Sequence, residues 1–406
     1  MAVTVEEAFE LIYKNVTNTL IKILPIEQAL GSVLAQDIVA RHNLPPFDNS
    51  AMDGYAVKIA DAGTCVSVKH TIFAGDDSQE ELVAQHAIKI MTGAKIPLGT
   101  HCIVPIEEIQ ICQGGVTLPK NLVMSKHIRL CGEDIKDGDL LLKSGERLNA
   151  HQITLLASQG ISHVKVYKKP RIALFASGNE LKMHFENVKS FQLYNTNTPT
   201  FFARAEELGC EVDFIGTASD TLTDIKLHIQ SALDSNLIIT SGGVSVGDAD
   251  FTKEAFEAFE YINIFDKVEI KPGKPTNFGR IGNTFILNLP GNPLAAALNF
   301  ELFAQSIILA LSGDNSKYLN TISSKMKADY KFRAGKKTLV PGNYDGEFFL
   351  ACDKFAPGMV SPLATSNSYI IIDETCSNLA SGDCVKVIPT KFSFTSKKKV
   401  DLVTKS

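Results

Sequence analysis

The sequence predicts a multidomain protein of mixed α/β and α+β class, and three stretches of the chain carry that prediction. Residues 171–311 alternate short apolar runs with amphipathic segments, the pattern of a mostly parallel sheet covered by helices on both faces. Residues 314–406 lack long helical periods and consist of short runs, "KTLVPG", "EFFLA", "SYIIID" and "CVKVIP", between Gly, Pro, Asn and Asp turns, which predicts a small all-β unit. Residues 45–133 mix short strands and turns with few helices.

Taken in order, residues 1–20 read as a helix with Val5, Ala8, Phe9 and Ile12 on one face, and 146–160 return to helix. In the α/β region "RIALFAS" (171–177) is a strand. A helix follows it, with Thr198 placed to cap, Pro199 suited to the first turn and Phe201, Ala205 and Leu208 on its buried face. "EVDFIG" (211–216) and "NLIIT" (236–240) are further strands, and Leu222, Ile225, Ile229 and Leu233 recur at helical spacing between them. Ala255 and Phe259 continue a helix face, a Gly282-Asn283 turn joins two strand-like segments, and an apolar helix spans 294–311. No internal repeat appears, and the basic tail "SKKKVDLVTKS" is a solvated end.

The chain of 406 residues is long enough for two to four cores, and 40 basic against 45 acidic residues exclude a global basic field for nucleic acid. Any anion must therefore be held by local groups. The eight cysteines form no C-x-x-C pair and no zinc-spaced cluster, so they read as reduced packing thiols. The acidic start "MAVTVEEAFE" does not resemble a signal peptide, and no uncharged apolar run is long enough to span a bilayer. These features predict a cytoplasmic protein with no nucleic-acid or membrane partner.

Ligands of an open parallel sheet gather beyond the carboxyl ends of its strands. Three polar clusters fall there: "SGNE" (177–180), "SGGVSVGDAD" (241–250) and "KPGKP" (271–275). In the second, Gly242 and Gly243 let backbone N–H groups converge on an anion, and Asp248 and Asp250 make sense beside it as Mg²⁺ ligands. The same glycines also suit a sharp strand-to-helix turn with Asp250 as a cap. Lys271 and Lys274, held on one loop by Pro272 and Pro275, are either point charges for a phosphate or a solvated turn. "LPGNP" (289–293) is explained by helix entry alone. The string "LPPFDNSAMDGYAV" (44–57), with "MTGA" (91–94) and "IRLCGEDI" (128–135), adds Asp53, Thr92, Arg129, Glu133 and Asp134. No P-loop, G-x-G-x-x-G, H-E-x-x-H or Ser/His/Asp order is present, and the nine histidines are scattered.

Together, "PPFDNSAMDGYAV", "MTGA", "R-x-x-GED", "SGNEL", "SGGVSVGDADFTK", "IKPGKP" and "LPGNP" resemble, in order and spacing, the MoeA family of molybdopterin molybdenumtransferases, which includes the gephyrin E-domain. The resemblance runs over about 1–390. It implies an elongated homodimer of four-domain subunits: 1–20 with 134–168 as a helical linker domain, 21–133 as a mixed β-rich domain, 169–312 as a molybdopterin-binding α/β domain, and 313–406 as a β-barrel-like domain. It implies insertion of molybdate into adenylylated molybdopterin with Mg²⁺-dependent release of AMP, the substrate supplied by a molybdopterin adenylyltransferase.

Carried onto this chain, the resemblance assigns Asp53, Thr92, Arg129, Asp134 and Glu180 to catalysis and Asp248, Asp250 and Glu180 to Mg²⁺. It assigns Ser241, Gly242, Gly243, Ser245, Lys271, Lys274, Pro290 and Pro293 to the pterin substrate. The cleft is expected between the α/β domain of one subunit and the terminal parts of its partner. Two departures stand out. Ser177 replaces a usual Thr, and "APGMVSPLATSNSY" (356–369) follows the family pattern loosely, so Ser361 and Asn367 carry the resemblance least. The competing reading is a non-catalytic pterin-phosphate-binding or scaffold protein of the gephyrin type. A generic phosphotransferase lacks its P-loop or kinase signature.

Overall fold

Apolar β-branched runs in the central region pair edge to edge as their period predicts. The computed structural model describes residues 2–77, 79–242 and 251–390. Strands Glu211–Ala218, Arg171–Ser177, Leu237–Ser241 and Thr284–Leu289 lie side by side, each neighbouring pair parallel. Asn277–Ile281 and Ile262–Phe265 complete the sheet antiparallel, and the register Ile281↔Thr284 leaves Gly282 and Asn283 as a two-residue turn. Thr284–Leu289 is buried along its whole length, as a strand covered on both faces must be.

Helices Asn197–Glu207 and Pro293–Asn299 pack on one face, and Leu222–Ala232 with Phe251–Glu257 on the other. One helix start differs from the expectation. Thr198 lies inside the first turn, and the capping contact comes from Asn195, whose Oδ1 accepts from Thr198 N at 3.1 Å. An amide three residues upstream satisfies an orphan helix N–H that a Thr inside the turn cannot reach. The apolar helix runs from Pro293 to Leu311 through a π-helical segment, Phe300–Ala304. It is long and apolar enough to span a membrane, but it is buried as the core helix of this region.

The N-terminal helix, Val5–Asn15, begins with a capping box between Thr4 and Glu7. Its buried residues Val5, Ala8 and Ile12 join the core of the α/β region, and Phe9 meets Phe303 at 5.6 Å between ring centroids. Residues 21–42 pack instead with 135–168: Ile21–Pro25 pairs antiparallel with His163–Tyr167, and Ile38–Val39 with Leu140–Leu142. Helix Ala150–Ser158 closes that layer under a capping box from Asn149 and Gln152.

Residues 49–129 carry a six-stranded mixed sheet with one apolar cluster on each face. The C-terminal unit closes on itself. Lys337–Tyr344 pairs with Phe348–Ala351, which leads through Ile322–Met326 and Cys384–Pro389 to Ser368–Ile372 and back to Lys337–Tyr344. Closure removes exposed sheet edges, the reason short strands of this kind form a barrel.

The cysteine reading needs correction. Cys65 and Cys112 form a disulfide with Cα atoms 6.4 Å apart, and Cys131 and Cys384 are exposed, leaving Cys102 and Cys210 as buried packing thiols among the free cysteines. The strand between the two paired cysteines, Gly115–Thr117, hydrogen-bonds to both of their strands, so sheet topology brings together residues 47 apart in sequence.

Arg204 ties helix Asn197–Glu207 to the core helix. Its Nε and Nη2 donate to the two carboxylate oxygens of buried Glu301 at 2.7 and 2.8 Å. Burial pushes the Glu301 carboxyl above its usual range, and Arg204 opposes that shift. Arg204→Met, which leaves a buried carboxylate without its partner, should lower unfolding free energy by about 3–5 kcal/mol in a denaturant titration. The double variant with Glu301→Leu should recover most of that loss.

Candidate active site

The carboxyl ends of three neighbouring strands open into one cavity of about 890 Å³. Its floor is built from the turn after Arg171–Ser177, the end of Leu237–Ser241 and the loop after Thr284–Leu289, contributing Ser177 and Glu180, Ser241 and Gly242, and Pro290 to Pro293. Gly242 adopts φ +91°, and a Cβ there would overlap the carbonyl oxygen of Ser177. Packing between strand ends thus demands the glycine whether or not a ligand is bound.

The turn carrying Glu180 is locked by reciprocal bonds. Asn179 N donates to Asp220 Oδ2 and Asp220 N donates to Asn179 Oδ1, each at 3.1 Å. Asn197 Nδ2 donates to Gly291 O at 2.8 Å and fixes the 290–293 loop against a helix start. Behind Ser241, buried Thr240 donates to Asn288 Oδ1 at 2.5 Å, and Asn288 Nδ2 donates to Asn277 Oδ1 at 2.9 Å. Tyr261 also donates to Asn277, at 2.6 Å, and burial drives its phenol well above the usual range. This network ties strand 237–241 to strands 284–289 and 277–281 and holds their register.

Two lysines, Lys267 and Lys274, reach the cavity, and Leu181, Leu193, Tyr194 and Val360 give it an apolar side. Next to it lies a smaller cleft of about 330 Å³ that shares Lys274, Pro275, Pro290 and Asn292 with the cavity and adds Lys271 and Lys336. Three lysines among the residues lining the small cleft would suit a compact oxyanion, and a larger, part-apolar cavity beside it would suit an organic ring bearing phosphate.

Of the residues expected at the site, Glu180, Ser241, Gly242, Lys274, Pro290 and Pro293 line the cavity, and Lys271 lines the adjoining cleft. Gly243, Ser245, Asp248 and Asp250 lie outside the described residues. Asp53, Thr92, Arg129 and Asp134 are exposed and are not among the described residues that line the cavity of the same chain. Asp53 and Thr92 do meet: Asp53 Oδ1 accepts from Thr92 N at 2.7 Å and from Thr92 Oγ1 at 2.8 Å. Arg129 sits opposite Asn49 in a two-stranded pair.

Several lining residues had no sequence signal. Lys336 comes from the barrel, Lys267 from the strand that pairs with the N-terminus, and Asn195 from a helix entry that reads as a cap. Gly358 and Val360 bring the loosely matching 356–369 segment to the cavity, where Leu294 N donates to Pro357 O at 2.9 Å. Asn367 is used inside the barrel, exchanging bonds with the backbone of Tyr344 at 2.8 Å each.

A doubly wound α/β unit with a lysine-lined cavity at its strand ends, mounted beside a closed β-barrel, defines a class of multidomain α/β proteins whose site lies beyond the sheet. Comparison with known proteins narrows the class. Residues 3–160 match the MoeA N-terminal region (domain I and II), 173–310 a probable molybdopterin binding domain, and 323–390 the MoeA C-terminal region (domain IV). A molybdopterin molybdenumtransferase of Haemophilus influenzae is 35% identical over 376 residues, covering 90% of this chain and 93% of that protein. One from Staphylococcus aureus is 30% identical over 405 residues, with 96% of each covered. The crystal structure of a molybdopterin biosynthesis MoeA protein from Pyrococcus horikoshii superposes with a TM-score of 0.85 at 29% identity, covering 97% of this chain and all of that one. The chain belongs to the MoeA family.

Two outcomes are expected. Gly242→Ala forces a side chain into the left-handed region and against Ser177, so it should destabilise by about 1–3 kcal/mol in a thermal or denaturant melt. The Asp53 carboxyl is held below its ordinary value of 3.8, first by the N–H of Thr92 and then by its hydroxyl. Its contribution is therefore present above the unfolded value and is lost as pH falls through the lower folded one. Thr92→Val should raise the Asp53 pKa towards ordinary in a carboxyl NMR titration, and an unmoved value would show that the hydroxyl contact does not hold in solution.

Proposed function

We propose that this chain inserts molybdate into adenylylated molybdopterin with Mg²⁺-dependent release of AMP. The observation that supports this best is the pairing of a large, part-apolar cavity with a small three-lysine cleft that share Lys274. The membership of a family whose curated relatives are named molybdopterin molybdenumtransferase supports the same reading. On this reading the pterin and its phosphates lie in the cavity against Ser241, Gly242 and Lys267, and molybdate enters beside Lys271, Lys274 and Lys336. Asn195 and Asn197 supply further polar contacts at the cavity wall. The protein's net charge of −5 repels anions at long range, so these local cations must supply the attraction.

Glu180 is the one carboxylate among the described residues that line the cavity, and no group of three metal-ligating side chains occurs among the described residues. A magnesium ion that keeps most of its water needs only one or two carboxylates plus substrate phosphate, so Glu180 fits, with Asp248 and Asp250 proposed as further ligands. Bound there, the cation would act as a Lewis acid on phosphoryl oxygen. Glu180 would hold its water shell, and the lysines would neutralise the oxyanions that develop.

Asp53, Thr92, Arg129 and Asp134 are proposed to complete the cleft of the second copy in a homodimer, which accounts for their exposure away from this chain's own cavity. The exposed guanidinium of Arg129 suits bidentate contact with an oxyanion there.

The test is release of AMP from adenylylated molybdopterin by the full chain, which should require both molybdate and Mg²⁺. Tight pterin binding with no turnover would overturn the enzyme reading in favour of a scaffold. Glu180→Gln should retain pterin binding and lose Mg²⁺-dependent turnover. Asp53→Asn and Lys274→Ala should each be inactive alone. Mixed and allowed to exchange subunits, they should recover about a quarter of wild-type activity, because half the dimers then carry one intact cleft. No recovery on mixing, with exchange verified, would sink the shared-cleft arrangement.

A further inference from the structure

The lysine loop owes its shape to a residue that lies outside both openings. Asn299, at the end of helix Pro293–Asn299, has no exposed surface and lines neither the cavity nor the cleft. Both hydrogens of its amide are used: Nδ2 donates to Pro272 O at 3.1 Å and to Ala295 O at 2.7 Å. Thr276, also without exposed surface, has its hydroxyl 2.8 Å from Gly273 O and 3.3 Å from Asn299 Oδ1. Gly273 adopts φ +120°, and a Cβ there would overlap the Asn299 amide, so the loop backbone closes directly onto that side chain.

The chemistry of this contact is costly unless it is complete. Asn299 stands among Leu298, Phe300 and Leu302 in a mostly apolar core helix, and an unmatched amide there would be strongly unfavourable. An apolar residue would pack as well, but it could not fix the Pro272 carbonyl. The ends of the loop are already tied: Val268 N donates to Lys274 O at 3.0 Å, and Lys271 pairs with Thr338 of the barrel. Between them, Pro272 and Gly273 are buried while Lys271 and Lys274 are exposed. Asn299 therefore holds the middle of the loop down and leaves the two ammonium groups standing out of it.

We propose that Asn299 is a positioning residue for the anion loop: with Thr276 it sets where Lys274 stands, and so the affinity for a tetrahedral oxyanion, without touching that anion. The inference rests on the reading of the 271–275 loop as an anion holder.

The test is a double-mutant cycle on the full chain, read by equilibrium dialysis of radiolabelled molybdate and by AMP release at saturating molybdate. Lys274→Ala should weaken molybdate binding by about tenfold or more, and Asn299→Ala by about fivefold to tenfold with kcat within about twofold of wild type. The variant carrying both should bind no worse than Lys274→Ala alone, since Asn299 acts through that lysine. A loss of general structure would change kcat and give additive losses.

Wild-type binding in Asn299→Ala, or full additivity in the cycle, would overturn the positioning role. Wild-type binding in Lys274→Ala would overturn the loop reading itself, and the single lysine variant separates that failure from the other. Should Asn299→Ala fail to fold, the near-isosteric Thr276→Val carries the test, with about a threefold loss expected. Unchanged affinity in that variant would overturn the proposal.

Discussion

The site depends on how closely two strand ends approach. The Ser177 carbonyl lies where a side chain on residue 242 would be, so the second and third strands in the order 211–218, 171–177, 237–241 can end together only over a glycine. That contact brings the Glu180 turn, the Ser241-Gly242 peptide and the 290–293 loop to one opening. The buried Thr240–Asn288–Asn277 chain ties strand 237–241 to strands 284–289 and 277–281 beside it. Two independent devices, one steric and one polar, enforce a single geometry, and the cations arrive around it from elsewhere in the chain.

Those cations show what a sequence can and cannot reveal. Strands 171–177 and 237–241 were legible because burial on both faces writes itself as continuous apolar runs, and the loops after them because glycine, proline and charge cluster locally. Lys271 and Lys274 were legible for the same reason, sharing one short loop. Lys336 was not, because a barrel strand end supplies it, and neither was Lys267, which comes from a strand beside the N-terminus. The Cys65–Cys112 disulfide stayed hidden behind a separation of 47 residues that only sheet pairing closes. Thr198 had the right chemistry for a cap but stood inside the first turn, and the amide of Asn195 did the capping. Local pattern reports local structure; adjacency between distant segments is a property of the packing.

The long helix from Pro293 to Leu311 is where much of that packing meets. Its apolar surface fills the core under the sheet, and contacts along its length tie it to several distant parts of the molecule. Asn299 grips the lysine loop, Glu301 receives Arg204 from the helix at 197–207, and the N–H of Leu294 takes the Pro357 carbonyl from the segment before residue 358. Phe303 meets Phe9 of the N-terminal helix. A buried polar group adds little net stability when satisfied and is costly when it is not, so each of these contacts works as a register mark more than as a source of cohesion.

This arrangement bears on the segment at 356–369, whose sequence follows the family pattern only loosely. Its contribution to the cavity, Gly358 and Val360, is apolar or lacks a side chain, so it shapes space without supplying a charge. What it must preserve is the Pro357 carbonyl over the helix start, a backbone group that any sequence offers if the chain path is kept. Asn367, the residue there with the richest side-chain bonding, is committed to Tyr344 within the barrel. The cationic side chains that line the cavity and the cleft are Lys267, Lys271, Lys274 and Lys336, none of them in this segment. The segment thus serves the cavity through volume and the helix start through main chain, while the side chains of Leu363 and buried Tyr369 anchor it in the apolar core that the helix also fills.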